Sequence, residues 1–217
     1  AYYPFIGNAQ DESGNGYHGT IHGAMLTTDR FDNENSAFSF DGIDDYINTE
    51  TILNFEYSNN KLTIAAWIYI NERPDGVQYT ILGESDPHFN YSLIVFGWIE
   101  ELKDSFNINI TTSDDSTIWS EALHWVINDR WIFVAVTFDG SNIKHYVDGK
   151  FRSHTVDFNA CHINRDESKL VIGGMGSQEM GGPENLFSGK IDDIVIFNRA
   201  LTNDQIKELF EKGLNIP

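Results

Sequence analysis

Residues 61–70 read KLTIAAWIYI, and the alternation of these ten residues decides the class of fold. In an extended chain successive side chains point to opposite faces. Leu62, Ile64, Ala66, Ile68 and Ile70 therefore share one face, and Thr63, Ala65, Trp67 and Tyr69 share the other. Both faces are largely apolar, so the segment predicts a strand covered on both sides, inside a sandwich.

The pattern repeats outward from this strand. AFSFDG (37–42), YTILGE (79–84), YSLIVFG (91–97), FNINITT (106–112), WIFVAVTF (131–138), IKHYVDG (143–149), FRSHTVDF (151–158), KLVIGG (169–174) and KIDDIVIFN (190–198) are short runs of strand-forming residues, with Gly, Asn, Asp and Ser clusters between them. So many strands in 217 residues predict two stacked antiparallel sheets. Asp148-Gly149, between IKHYV and KFRSHTV, is a two-residue hairpin signal, because both residue types accept positive φ.

One amphipathic helix stands out in TNDQIKELFEKG (202–213). Thr202 as N-cap and Gln205 three residues on form a capping box; Ile206, Leu209 and Phe210 make an apolar stripe, and Gly213 is the stop. The helix is expected to lie on the sandwich. With no internal repeat and no low-complexity linker, residues 1–217 are expected to form one domain.

Composition narrows the function. Hydrophobic residues make up 41% of the chain and aromatic residues 13%, enough for a sizeable core. Thirty-three acids against fourteen bases give a net charge of −19, which repels nucleic acid and anionic membranes and favours cations or neutral ligands. A single cysteine, Cys161, rules out an intramolecular disulfide framework and a cysteine-rich zinc site. No stretch approaches membrane-spanning length, and the residues after Ala1 do not read as a signal peptide.

Taken in order, QDESGNGYHGTIHGA, AFSFDGIDDYI, LTIAAWIYI, RWIFVAVTFDGSNIKHYVDGK, LVIGG and FSGKIDDIVIFNRALTNDQI resemble the laminin-G-like jelly-roll domains of the concanavalin A-like lectin/glucanase superfamily over nearly the whole chain. The resemblance implies an all-β, two-sheet antiparallel jelly-roll sandwich with a short C-terminal helix. It also implies a carbohydrate-binding or adhesive module, often with bound calcium, belonging to a larger secreted or cell-surface bacterial protein.

The glycine-rich loop raises the question of metal directly. DESGNG places Asp11, Ser13, Asn15 and Gly16 as in the first half of an EF-hand loop, but the twelfth position is His22 and no helices flank it, so an EF-hand is excluded. The turn can still donate oxygens if another acid joins it, and the family resemblance names Asp192 of GKIDDI as that acid. The expected calcium ligands are Asp11 and Asp192 by side chain, with Asn15 and His18 by backbone carbonyl. Strand alternation then leaves Asp193 facing water. Hard oxygen donors favour calcium over zinc. The alternative is a turn with solvated acids.

Catalysis finds little support. The Glu-x-Asp-x-Glu strand of glucanases of this superfamily is missing, and the pairs Asp44-Asp45, Glu100-Glu101 and Asp114-Asp115 are adjacent, so their side chains diverge in strands. There is no G-x-S-x-G, no H-E-x-x-H and no phosphate loop; GGMGSQEMGG (173–182) lacks the lysine and the following helix. His18 and His22 are too far apart in a strand to chelate one ion. A lyase built from a scattered base and one of the six arginines (30, 73, 130, 152, 165, 199) stays open as an alternative, as does an unrecognised glycoside hydrolase. Arg130 and Arg199 read as structural.

Sugar recognition needs an aromatic platform beside fixed polar groups. Trp98, Trp119, Asp86, His88 and Tyr91 are the candidates, whereas Trp67 and Trp131 sit in apolar strands and are expected in the core. The expected function is therefore a non-catalytic lectin-like module for a neutral carbohydrate. An adhesion or protein-interaction module is the alternative.

Overall fold

The computed structural model describes residues 1–49, 61–71, 77–84, 91–96, 105–111, 117–122, 129–156, 169–176 and 182–213. Two antiparallel sheets stack face to face. The first runs, in spatial order, β13 (Lys150–Val156), β12 (Asn142–Val147), β11 (Trp131–Phe138), β6 (Leu62–Ile70), β15 (Ser188–Phe197), β4 (Ala37–Asp41) and β3 (Met25–Thr27); β1 (Tyr2–Tyr3) also pairs with β15. The second runs β10 (Thr117–Ala122), β9 (Ser105–Thr111), β8 (Tyr91–Phe96), β7 (Tyr79–Glu84), β14 (Leu170–Ile172), β5 (Tyr46–Thr49) and β2 (Thr20–His22). This is the two-sheet sandwich expected from the alternating runs.

β6 sits at the centre of the first sheet, between β11 and β15. Its Leu62, Ile64, Ala66, Ile68 and Ile70 join the core between the sheets, with Phe38, Phe40, Phe106 and Phe138. Its other face is covered too, by the helix α1 (Asn203–Lys212) and not by a second sheet. There Ala65 packs in a smaller cluster with Phe133, Tyr146, Val195, Ile206 and Leu209, against which Trp67 and Phe210 rest. Thr63 turns its lone hydroxyl to use, donating to the carbonyl of Arg199 (2.7 Å) and accepting from the amide of Leu201 (2.9 Å), which anchors the turn into the helix.

The capping box forms as expected: Gln205 N–H donates to Thr202 Oγ1 and Thr202 N–H donates to Gln205 Oε1. The hairpin also forms, with Asp148 and Gly149 both at positive φ. Glycine is required there for a second reason. A Cβ on Gly149 would lie 2.9 Å from the ring of Phe210, so the helix seats its aromatic residue on the bare hairpin turn.

Trp67 and Trp131 are not in the core between the sheets; both are half-buried on the helix side of the first sheet. Trp67 stacks on Phe210 (ring centroids 5.5 Å) and Trp131 meets Tyr69 edge-on (5.9 Å). The alternation was right, but the covering layer on that side is a single helix and cannot bury so wide a face.

A histidine lies deep between the sheets. His145 of β12 is 0% exposed; its Nε2 meets the carbonyl of Ser120 on β10 at 3.1 Å, and Phe106 packs edge-on to it at 5.1 Å. Burial lowers its pKa from 6.5 to about 4, with the Ser120 carbonyl opposing. Above pH 6.5 the ring is neutral folded or unfolded, so its contribution to stability is complete. As pH falls from 6.5 toward 4 the unfolded chain takes up a proton that the folded chain refuses, and stability is lost. Denaturant unfolding at pH 7 and pH 4.5 should show the wild type losing roughly 2–3 kcal/mol more over that interval than His145→Gln. Equal losses would show that the ring takes up its proton without cost in the folded state.

Candidate functional site

The junction of the chain's first and last strands is where sequence and resemblance placed a calcium ion. β15 carries a bulge there. Asp192 is opposite Trp67 and Val195 opposite Ala65, so Asp193 and Ile194 share one position on β6, and Asp193 takes φ 49°. Ile191, Ile194 and Ile196 reach the inter-sheet core, while Asp192 and Asp193 are both drawn into an ion pair on the other side. The expectation that Asp193 faces water is thus corrected: the extra residue breaks the period of two.

Both carboxylates meet one guanidinium. Arg30 Nη1 donates to Asp192 at 2.7 Å and Arg30 Nη2 lies 2.8 Å from Asp193, with the arginine side chain only 10% exposed. The guanidinium lies 4.5 Å from the ring centroid of Trp67 and 4.6 Å from that of Phe31, a geometry in which each ring's negative face attracts the cation. Asp29 shapes the turn that presents it, accepting from the amides of Phe31 (2.7 Å) and Asn33 (2.9 Å) and from Asn33 Nδ2 (2.8 Å). Burial, then the charge of Asp193, pushes Asp192 above the ordinary carboxylate range, and Arg30 pulls it back.

Asp11 is equally occupied. Its Oδ1 accepts from the amides of Tyr2 (2.8 Å) and Ser13 (3.0 Å), and its Oδ2 from Ser13 Oγ (2.8 Å) and the amide of Tyr17 (3.1 Å). Four bonds fill the four acceptor positions of a carboxylate. Burial raises its pKa, but these bonds outweigh burial and hold it below the usual value. His18 accepts the amide of Asp11 through Nδ1 (3.2 Å), and Asn15 donates to Ser13 Oγ (2.9 Å); both side chains are exposed. Arranged in this way, Asp11 and Asp192 do not fit a shared calcium ion. One carboxylate is saturated by its own loop and the other is paired with an arginine that it shares with Asp193. Tyr2 joins the two networks instead, through its amide to Asp11 and its hydroxyl to Asp193 (3.5 Å).

Among the described residues, the acids with ligand oxygens close enough to share an ion are Asp41, Asp44 and Asp45, all within 4.8 Å of one another. Amides of the same loop hold them. Asp41 Oδ1 accepts from Ile43 (2.8 Å) and Asp44 (3.2 Å), and Asp45 Oδ2 accepts from Asp41 (2.9 Å).

Of the residues singled out for sugar, Asp86, His88 and Trp98 lie outside the described residues, as does Cys161. Tyr91 opens β8, and Trp119 lies on β10 in one register row with Asn109 of β9 and Ser92 of β8. Arg130 pairs with Asp148 (3.0 Å) and Arg199 lies over Phe197 (5.4 Å). Arg30 is the residue sequence reading passed over. The signal available was one arginine next to a phenylalanine in a chain with few bases.

A second set of side chains comes together between α1 and the outer face of β12 and β13. Here too a bulge re-aims the chain: His145 is opposite Ser153 and Tyr146 opposite Phe151, which leaves Arg152 unopposed. Phe151 and His154, three residues apart, consequently stand side by side with ring centroids 5.9 Å apart at 36°. Phe151 is 45% exposed. Tyr146 donates its hydroxyl to Asn203 Oδ1 at 2.7 Å, fixing that amide. Lys144, Phe151, His154 and Asn203 line a hollow of about 250 Å³. Lys144 and Asn203 also line an adjoining one of about 520 Å³, with Lys61, Asp139 and Asp204.

Two variants separate the guanidinium from a metal as the tie between the chain ends. Arg30→Met leaves two buried carboxylates without their counter-charge and should destabilise the fold by about 3–5 kcal/mol in denaturant unfolding. Conservative Arg30→Lys, unable to bridge both acids in the same planar fork, should fall between. Chelator should leave the wild-type melting temperature unchanged; a fall of several degrees would place an ion in the fold after all.

Comparison with known proteins agrees with this architecture. No curated protein sequence matches the chain. Among solved structures, the receptor binding domain of botulinum neurotoxin C/D mosaic serotype matches at 16% identity with a TM-score of 0.74, covering 98% of this chain and 50% of that one. The binding domain of botulinum neurotoxin DC, solved in complex with rat synaptotagmin II, matches at 17% with a TM-score of 0.67, covering 93% and 48%. The chain thus spans about half the length of these neurotoxin domains. Domain 4 of AbnA, a GH43 extracellular arabinanase from Geobacillus stearothermophilus solved in complex with arabinotriose, matches end to end: 22% identity, TM-score 0.69, and 97% of each chain. A family model described as concanavalin A-like lectin/glucanases superfamily matches residues 41–207, more than three quarters of the sequence, and the chain belongs to that family.

Proposed function

We propose that the chain is a non-catalytic carbohydrate-binding module of a larger extracellular protein. The observation that carries this reading is the end-to-end likeness to domain 4 of the arabinanase, a unit of the same length solved with an oligosaccharide bound. Composition points the same way. A net charge of −19 disfavours anionic polysaccharides and leaves neutral sugars, recognised by stacking and hydroxyl bonds, as the favoured class.

Among the described residues, the buried and turn-forming acids support a binding role over hydrolysis. Asp11, Asp29 and Asp139 each accept several bonds from their own turns, and Asp192 and Asp193 share one arginine. Carboxylates tied down in this way are poor nucleophiles toward a sugar. The reading requires no calcium at the junction of the chain ends, because Arg30 supplies the positive charge there.

The test is calorimetric titration with arabinotriose, xylotriose, maltotriose and polygalacturonate, followed by chromatography of each mixture after prolonged incubation. Saturable binding of a neutral trisaccharide with no shortened product is expected. Product formation would overturn the non-catalytic part. Indifference to every sugar would overturn the whole reading in favour of an adhesive, protein-binding module.

A further inference from the structure

The carbohydrate-binding reading leaves open which surface does the binding, and the following rests on that reading. We propose that the groove between the N-terminal half of α1 and the β12–β13 hairpin is the sugar-binding surface, with Phe151 and His154 as platform and Asn203 and Lys144 as hydroxyl partners.

Four observations converge on this groove. Among the described residues, Phe151 is one of six large apolar side chains left open, at 45% exposed. It also has a neighbour that extends it: the ring of His154 lies 5.9 Å away and inclined by only 36°, so the two form one broad surface on the same side of the sheet. A pyranose or furanose ring presents apolar C–H groups that suit such a surface. The arrangement depends on the bulge at Arg152, because without the extra residue positions 151 and 154 would point to opposite faces.

The polar groups are placed in advance. Asn203 is held by the hydroxyl of Tyr146, itself buried in the cluster under the helix, so the amide loses little freedom when a ligand arrives. With its oxygen engaged, its Nδ2 is the donor that remains. Lys144 is opposite His154 across the strand pair and lines both hollows, so a ligand lying on the rings meets its ammonium.

Charge selects the ligand class. In a chain of net charge −19, this groove gathers Lys61, Lys144 and the imidazole of His154 against Asp139 and Asp204. Asp139 is spent on its own turn, accepting from the amides of Ser141 and Asn142 and from Asn142 Nδ2. Donors and acceptors are thus balanced over a hollow of about 520 Å³, which falls in the range that holds small ligands and suits a short neutral oligosaccharide.

The outward row of the second sheet is the rival surface. Its Thr80 and Asn107, on either side of Ile94, carry buried polar atoms without hydrogen-bond partners. These two residues are 0% and 2% exposed.

The closing experiment measures affinity for arabinotriose and maltotriose in wild type, Phe151→Ala, Phe151→Tyr, Trp119→Ala and the distant control Met25→Ala, with a thermal melt of each. Phe151→Ala should weaken binding at least tenfold with its melt nearly unchanged, Phe151→Tyr should restore it, and Met25→Ala should bind as wild type. Undiminished binding by Phe151→Ala, or loss confined to Trp119→Ala, would overturn the assignment of this groove and leave the carbohydrate-binding reading standing. Failure of the wild type to bind either trisaccharide would remove both.

Discussion

A guanidinium held between two rings and two carboxylates is the interaction on which the rest of the sandwich depends. Arg30 reaches across 162 residues of sequence to Asp192 and lies on Trp67 of the central strand, so one side chain joins the loop after β3, the middle of the first sheet and its last-added strand. Through Asp193 it also touches Tyr2, whose amide is fixed by the Asp11 loop. Buried charge is costly, and such a pair holds only when the partners are many and well aligned. Here two carboxylates and two aromatic faces meet that condition. The junction therefore closes without a disulfide, which one cysteine could not supply.

Much of this architecture was legible in the sequence. The two apolar faces of KLTIAAWIYI, the Asp148-Gly149 turn and the Thr202–Gln205 capping box are local signals, and each formed as its local chemistry requires. Arg30 was not legible, because nothing in its neighbourhood states what lies 162 residues away. The tryptophans show a subtler gap. Alternation correctly put Trp67 on the face opposite Leu62 and Ile64, but whether that face meets a sheet or a helix is a tertiary matter, and a helix leaves Trp67 free enough to carry a cation.

Both clusters described here owe their geometry to a bulge. In β15 one extra residue turns Asp193 to the same side as Asp192, and in β13 one extra residue sets Phe151 beside His154. A strict period of two forbids each arrangement: neighbours would diverge in the first, and residues three apart would diverge in the second. Sequence reading used that period and so separated Asp192 from Asp193, which the fold unites. Bulges leave a weak trace in a single sequence, since the positive φ of Asp193 is compatible with many turns. Errors of alternation are accordingly expected where a strand aims side chains at something other than its core.

The two bulges also divide labour across one layer. The ion-pair cluster and the aromatic groove both lie on the helix side of the first sheet, with α1 packed between through Ile206, Leu209 and Phe210. Phe210 rests on Trp67 of the first cluster and on Gly149 of the hairpin that leads into the second. The helix is thus seated by the same residues that bury the arginine, and its N-terminal Asn203 is in turn held over the groove by Tyr146. A ligand on Phe151 would meet groups whose positions were fixed when the core closed, and rigid presentation of this kind reduces the ordering cost of binding a flexible, hydroxyl-rich molecule.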